Sequence, residues 1–458
     1  MKKARKILAA LLAACMMSTS ALGSAVTATA DTSVSASATD NKPVVKAKVS
    51  EGRIDFTWKK VPGATKYRVY KYENKKLTKM ADTKDRTFVV VNTSPGAKYS
   101  IAVRAYVDGK WTKLTKKDIV TAAAAAIDAK KMLSLWTDTA ETKKQLISYI
   151  KAITDEGSKD YIPVEDRIAV FDFDGTLFCE TDPNYFDYML LKYRVLEDPD
   201  YKDKASDFEK EVANMIKEQN ETGKSFESLP VDHGKAVASA FKGMTLAEFN
   251  DYIQEFKKQP MPSYDGMLRG DGFYLPMLQI IDYLKANCFT VYIISGTDRF
   301  IVRGIFDNNV VDLPNRQIIG SDELTVATGQ NGKDGLDYQY THSDELVLGG
   351  EFIIKNLKMN KVSVIAQEIG EQPVLSFGNS TGDTSMANYT ITNNKYKSLA
   401  FMLCCDDTER ENGNVEKADK MYSLCDENGW IAVSMKNDWK TIYGDGVTYK
   451  GAEEKSAA

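Results

Sequence analysis

One short stretch constrains this chain more than any other. Ile168-Ala-Val-Phe171 is a continuous apolar run, and it ends in Asp172-Phe-Asp174-Gly175-Thr176. A short β-rich apolar run closed by a glycine reads as a buried strand of a parallel sheet. In open α/β sheets ligands lie beyond the carboxyl ends of such strands. Two acids at that edge, separated by one residue, are therefore placed for chemistry. The tight Gly175-Thr176 turn is expected to direct backbone N–H groups toward an anion. The bland alternative is a strand end with solvated acids, or an Asp-Gly turn between two strands.

The chain around this stretch alternates strand and helix. Leu133 to Thr154 reads as a helix, with Leu146, Ile147, Ile150 and Ile153 at helical spacing. Leu275–Leu284 is an amphipathic helix, and Phe289–Ile294 is a buried strand. Pro373–Phe377, Leu399–Leu403 and Trp430–Ser434 follow as further strands. The alternation implies a doubly wound parallel sheet. Between the first and second of these strands, residues 178–273 form a long polar insertion. Helices are expected near Tyr185–Leu196, Ala205–Gln219 and Thr245–Lys258, the last opened by the capping box Thr245-Leu-Ala-Glu248. An insertion at that point fits a cap that excludes water and selects substrates. Residues Gln317 to Leu348 are expected to form a β-hairpin insertion.

At 458 residues the chain is long enough for two or three domains. The stretch 42–121 is all-β in pattern. Ile54–Trp58, Tyr67–Tyr70, Thr87–Val91 and Tyr99–Tyr106 read as strands, Asn74 and Lys75 occupy a hairpin, and Asp108-Gly109 is a turn. Strands this short and regular suggest a β-sandwich. The stretch resembles a fibronectin type III domain, on Trp58, the Pro62-Gly63-Ala64 that follows it, and Ser94-Pro-Gly-Ala-Lys-Tyr99. In that resemblance Tyr99 holds the tyrosine-corner position. Nothing catalytic is visible here, and a spacer or docking role, with cell-surface or carbohydrate contact, is the expectation.

The Asp172-Phe-Asp174-Gly-Thr176 sequence resembles the first motif of the haloacid dehalogenase superfamily, whose members are mostly aspartate-dependent phosphatases. The resemblance implies a Rossmann-like domain and a set of site residues. Asp172 would be the nucleophile that forms an aspartyl-phosphate, and Asp174 the general acid/base. Thr176, Ser295 and Gly296 would bind the phosphoryl group. The third-motif lysine is sought among Lys355, Lys358 and Lys361. Lys361 is preferred because it opens a helix just before the next strand. Gly378-Asn379-Ser-Thr-Gly-Asp383 resembles the acidic metal loop, with Asn379 in place of the first acid. Mg²⁺ is the implied cofactor, held by Asp172, the carbonyl of Asp174, Asp383 and Asn379. Residues Thr154–Ser158, Asp407–Glu411 and Met435–Trp439 extend the likeness to exported, phosphoserine-phosphatase-like bacterial hydrolases, over Leu133 to Tyr443. That group more often carries Asp-Asn-Asp-Gly-Thr, and the change to Phe173 leaves both acids in place.

The implied architecture is multidomain: a fibronectin-like sandwich, then a Rossmann-like domain (133–450) with a helical cap (178–273). The implied activity is hydrolysis of a small phosphomonoester. Dehalogenase chemistry is the alternative within enzymes, and Asp174 argues against it. A catalytically weak or inactive binding or adhesion protein is the alternative outside them, and Asn379 leaves room for it. Glu180, Thr181 and Asp182 either face the cap cleft or form a solvated loop.

Residues 1–30 read as a signal peptide, with a basic start at Met1–Lys6, an apolar run from Ile7 to Met17, and Ala28-Thr-Ala30 as a cleavage site. A secreted or cell-surface protein is expected. Leu12-Ala-Ala-Cys15 offers lipoprotein anchoring as an alternative. Residues 31–41 are a flexible lead-in, 122–132 a linker and 451–458 a tail. After the leader no apolar run is long enough to span a membrane. A net charge of −4 with mixed signs gives no reason to expect a nucleic-acid partner. Only His233 and His342 occur and no CxxC is present, which argues against zinc.

Overall fold

The computed structural model describes residues 42–50, 53–73, 76–91, 98–116, 120–121, 127–306 and 311–451. The expected leader, the lead-in, the Asn74-Lys75 hairpin tip, Ser94–Ala97, residues 122–126 and most of the tail lie outside the described residues. The chain divides into two compact units, with the break between Asp128 and Ala129.

The first unit runs β1 (Val45–Ser50), β2 (Arg53–Trp58), β3 (Ala64–Glu73), β4 (Lys76–Thr83), β5 (Thr87–Val91), β6 (Lys98–Tyr99), β7 (Ile101–Val107), β8 (Lys110–Trp111), β9 (Thr115–Lys116) and β10 (Val120–Thr121). One sheet has the order β1-β2-β5, and the second has the order β4-β3-β7-β8 with β9 on β7. Alternation decides which faces meet. Ile54, Phe56 and Trp58 of β2 are buried against Tyr67 and Val69 of β3 and Ile101, Val103 and Ala105 of β7. Burial of each such side chain contributes about 1.5–3 kcal/mol. The β1 and β4 strands were not anticipated, because lysines interrupt the apolar pattern of Val45–Ser50 and Lys76–Thr83. The Asp108-Gly109 turn has both residues at positive φ (47° and 78°), as a tight hairpin requires.

After a single helical turn at Ala129–Met132, the second unit runs through α1 (Glu141–Thr154) and β11 (Ile168–Phe171), and four helices follow: α2 (Phe186–Leu196), α3 (Asp207–Thr222), α4 (Leu229–Ala240) and α5 (Leu246–Lys257). Then come β12 (Tyr264–Asp265), α6 (Leu275–Ala286), β13 (Thr290–Asp298), α7 (Arg299–Phe306), β14 (Ile318–Ala327), β15 (Leu346–Ile354) and α8 (Met359–Val364). The chain closes with β16 (Leu375–Gly378), α9 (Thr384–Ile391), β17 (Leu399–Cys404), α10 (Val415–Asn428), β18 (Ile431–Ser434) and β19 (Thr448–Tyr449).

The main sheet has the order β15-β14-β13-β11-β16-β17-β18. Every pairing in it is parallel except β14 with β15. Strand β11 thus lies at the centre, with the next two parallel strands on one side and the last three on the other. This doubly wound order reverses direction beside β11, and the carboxyl end of β11 is where a crevice opens.

Three expectations are corrected. The helix drawn from Leu133 starts only at Glu141, because Trp136 pairs instead with Trp439 across an isolated bridge, rings 5.9 Å apart. The hairpin drawn over Gln317–Leu348 is not a pure insertion. The start of β14 pairs in parallel with Ile293 and Ile294, and only its later part turns to β15. The insertion holds a fourth helix, α4. Its Gly234 and His233 weaken the helical signal, while Pro230 in its first turn marks its start.

The insertion leaves and rejoins the core at one point. Phe178 forms an isolated antiparallel bridge with Phe273, and their rings lie 4.9 Å apart. Phe173, between the two acids of the central motif, is fully buried and stacks on Phe178 at 5.1 Å. That anchor fixes the loop from which Asp172 and Asp174 project.

Candidate active site

Asp172, Asp174, Thr176, Gly296, Lys361, Asn379 and Asp383 converge at the carboxyl edge of β11, β13 and β16. The centre is Lys361, which has no exposed surface. Its Nζ donates to Asp172 Oδ1 at 2.5 Å and to Asp383 Oδ1 at 2.7 Å. Helix α8 brings it there, and the Lys358 N–H bonds the Gly382 carbonyl at 2.8 Å, tying the helix start to the Asn379–Asp383 loop. Of the competing lysines, Lys358 is exposed. Lys355 is half-buried and lines the cavity, beyond the Asp172–Asp383 pair.

Burial and the neighbouring Asp383 carboxylate push Asp172 up to about 6, against the opposing pull of Lys361. Lys361 itself is raised, because Asp172 and Asp383 outweigh its burial. Asp174 is raised well above the ordinary carboxylate range, first by burial and then by Asp187. Thr297 Oγ1 lies 2.7 Å from Asp174 Oδ2 and 3.2 Å from Asp187 Oδ2. A hydroxyl carries one proton, so two carboxylates on one hydroxyl need a second proton between them. The raised position of Asp174 fits that requirement.

The Asp383 carboxylate is heavily used. Its Oδ2 accepts from the N–H groups of Asn379 and Ser380 at 3.1 and 3.0 Å and from Ser380 Oγ at 3.1 Å. With Lys361 on Oδ1, this expected metal ligand chiefly holds the loop and the lysine. Asn379 Oδ1 lies 3.4 Å from Thr176 Oγ1, which donates to Asp172 Oδ2 at 3.2 Å. Among the described residues no group of three His, Cys, Asp or Glu side chains is disposed to hold a metal. The oxygens that would hold an ion here are those of Asp172, the Asp174 carbonyl and the Asn379 amide. That donor set is all oxygen and suits a hard cation that keeps several waters, as Mg²⁺ does.

A cavity of about 130 Å³ opens above these groups. Its floor is Asp172, Asp174, Gly296, Thr297, Ser380 and Asp383, and its roof is Tyr185, Asp187, Tyr188 and Pro230 from the inserted helices. Glu180 lines it as well, and burial pushes that carboxyl up to about 7. Two expected phosphate ligands lie behind the wall rather than in it. Thr176 and Ser295 have no exposed surface, and Ser295 Oγ accepts from the Thr297 N–H at 3.0 Å. The expected N–H anion site at the turn is also altered. The Gly175 N–H goes to the Phe178 carbonyl at 2.7 Å, and that of Thr176 goes to Phe173 at 3.2 Å. Sequence reasoning missed Thr297 and Asp187. Thr297 stood in plain view after Ser295-Gly296, whereas nothing local marks Asp187 on its helix.

No family model matches the chain, and no curated protein matches it either. Among solved structures, FN3tt is similar at 23% identity over 18% of this chain and 92% of its own, with a TM-score of 0.17. A conserved protein of unknown function from Anaerococcus prevotii is 16% identical over 64% of this chain and 91% of its own, TM-score 0.39. Cytosolic 5'-nucleotidase IIIB bound to cytidine is 12% identical over 66% of this chain and 87% of its own, TM-score 0.39. These scores are too low to assign either unit to a family. What defines the protein is its own topology: a sheet-rich unit followed by a doubly wound α/β unit with an inserted helical roof.

Proposed function

We propose that the second unit is a Mg²⁺-dependent phosphatase that hydrolyses a small phosphomonoester through an aspartyl-phosphate on Asp172. The observation that carries this reading is the buried Lys361 that joins Asp172 and Asp383, two carboxylates at the floor of a roofed cavity. Lysine beside Asp172 favours the ionised carboxylate needed for attack on phosphorus and offsets charge on the phosphoryl oxygens. Asp174, protonated in this setting, gives its proton to the leaving oxygen and then takes one from the water that cleaves the acyl-phosphate. Thr297 orients that carboxyl. Gly296 and Ser380 border the phosphoryl position, and the inserted helices exclude bulk water. Mg²⁺, held by Asp172, the Asp174 carbonyl and the Asn379 amide oxygen with Asp383 behind them, supplies neutralisation of the phosphoryl charge. We read residues 1–30 as an export signal and the first unit as a docking module.

The test is hydrolysis of p-nitrophenyl phosphate by the mature protein with Mg²⁺ and with EDTA, beside Asp172→Asn. Metal-dependent turnover that Asp172→Asn abolishes is the expected result. Turnover that persists in both EDTA and Asp172→Asn overturns the mechanism. Failure to turn over any member of a phosphomonoester panel favours a binding protein on this scaffold, the reading that Asn379 leaves open.

A further inference from the structure

Position 379 holds an amide where the acidic loop pattern has a carboxylate. An amide has two unlike ends: its oxygen accepts, and its NH₂ group only donates. A cation is served by the first end and repelled by the second. Which end faces the ion depends on what holds the other.

Glu180 is placed to decide this. Its neighbours are pinned on both sides. The Cys179 N–H bonds the Gly272 carbonyl at 2.8 Å, and Thr181 Oγ1 donates to the buried Glu411. Asp182 accepts from the Ser263 N–H at 2.8 Å and pairs with Arg269 at 3.1 Å. Between them the Glu180 carboxylate turns to the bare face of Gly175. A Cβ there would lie 1.9 Å from Asn379 Nδ2 and 2.7 Å from Glu180 Oε2, so amide nitrogen and carboxylate converge on the same spot. The two side chains thus meet across the face of Gly175, with the amide nitrogen of Asn379 on the Glu180 side. The other end of the amide, Oδ1, lies on the Thr176 and Asp172 side.

We propose that Glu180 is a positioning residue for Asn379: its ionised carboxylate, which can only accept, captures the NH₂ group and so presents the amide oxygen to a divalent cation beside Asp172. This rests on the Mg²⁺ reading above. Glu180 thereby does from a different part of the chain what a carboxylate at position 379 would do by itself.

The experiment is a double-mutant cycle on Mg²⁺ affinity, read by titration calorimetry on the mature protein without substrate. The four proteins are wild type, Glu180→Gln, Asn379→Asp and the double variant, each checked for folding by circular dichroism. Glu180→Gln can hydrogen-bond the amide either way round. It should weaken Mg²⁺ binding about 10–100-fold, the range seen when an outer partner of a metal ligand is lost. A carboxylate at 379 has no wrong end, so in the Asn379→Asp background the same change should cost about threefold or less. Glu180→Asp keeps the charge but withdraws it by one methylene, and it should behave as Glu180→Gln does. Equal losses in both backgrounds would mean that Glu180 acts only through its charge and would overturn the proposal. So would Glu180→Asp binding as tightly as wild type. Absence of Mg²⁺ binding by the wild type would instead overturn the Mg²⁺ reading, and this inference with it.

Discussion

Lys361 donates to two carboxylates with none of its surface in water. Removing one partner of such a buried cluster costs more than the pair is worth, because the remaining charges lose their compensation. Lys361→Met should therefore lower stability in EDTA by roughly 3–5 kcal/mol, read from urea midpoints, and abolish p-nitrophenyl phosphate turnover. Gly175 is the second sensitive point. It sits at φ +74°, and a Cβ would lie 1.9 Å from Asn379 Nδ2. Gly175→Ala should reduce kcat at least about a hundredfold, since an error of about an ångström at a catalytic centre already costs that much. At this scale the legible residues were those whose neighbours in sequence are also neighbours in function. Asp172 and Asp174 stand at one strand end, and Lys361 could be chosen by its place before a strand. Asp187 and Thr297 meet Asp174 only because a helix of the insertion folds back over β13, and no local pattern carries that. Thr176 and Ser295 were placed in the right neighbourhood, but a motif cannot say which side of a wall a hydroxyl faces.

Between the inserted helices and the sheet lies a second polar cluster, around a small cavity of about 10 Å³. Asp187 and His233 face it from α2 and α4, Asp298 follows Thr297 on β13, Ser321 and Glu323 come from β14, and Lys355 follows β15. Burial pushes Glu323 up to about 9 and Asp298 up to about 7, and it pushes His233 down to about 4. Glu323, ordinarily near 4.5, holds in the folded state a proton that the unfolded chain releases. Its contribution is complete below that value and is lost as pH rises toward 9. Above the His233 range, between about pH 6.5 and 9, wild-type stability should thus decline by roughly 2–4 kcal/mol, and Glu323→Gln should flatten the slope in thermal melts across pH. His233 works in the opposite direction. Its imidazole is buried uncharged, so stability falls as pH drops from about 6.5 toward 4. The helices themselves were legible where capping boxes marked them, as at Thr245 and Glu248. Helix α4 was not, because Gly234 is there for packing: a Cβ on it would come within 2.5 Å of the Phe352 ring.

For the whole molecule, every residue lining the cavity beside Asp172 belongs to the second unit. Residues 129–458 expressed alone should keep p-nitrophenyl phosphate turnover within about twofold of the longer chain, measured under the same Mg²⁺ conditions. The order of strands and helices across this unit was readable because apolar runs and amphipathic periods alternate cleanly. The lateral order of the sheet was not, since strand neighbours are chosen by long-range packing.

The bridge between Phe178 and Phe273 has a consequence for how such a chain changes over generations. Seen from the sheet, everything between those two residues is a single closed turn, and the entropy of closing a loop grows only with the logarithm of its length. Helices can be lengthened, added or exchanged there without shifting the register of β11 against β13. The roof over the Asp172 cavity is in this sense modular, free to drift in shape and chemistry while the sheet edge beneath it is inherited intact.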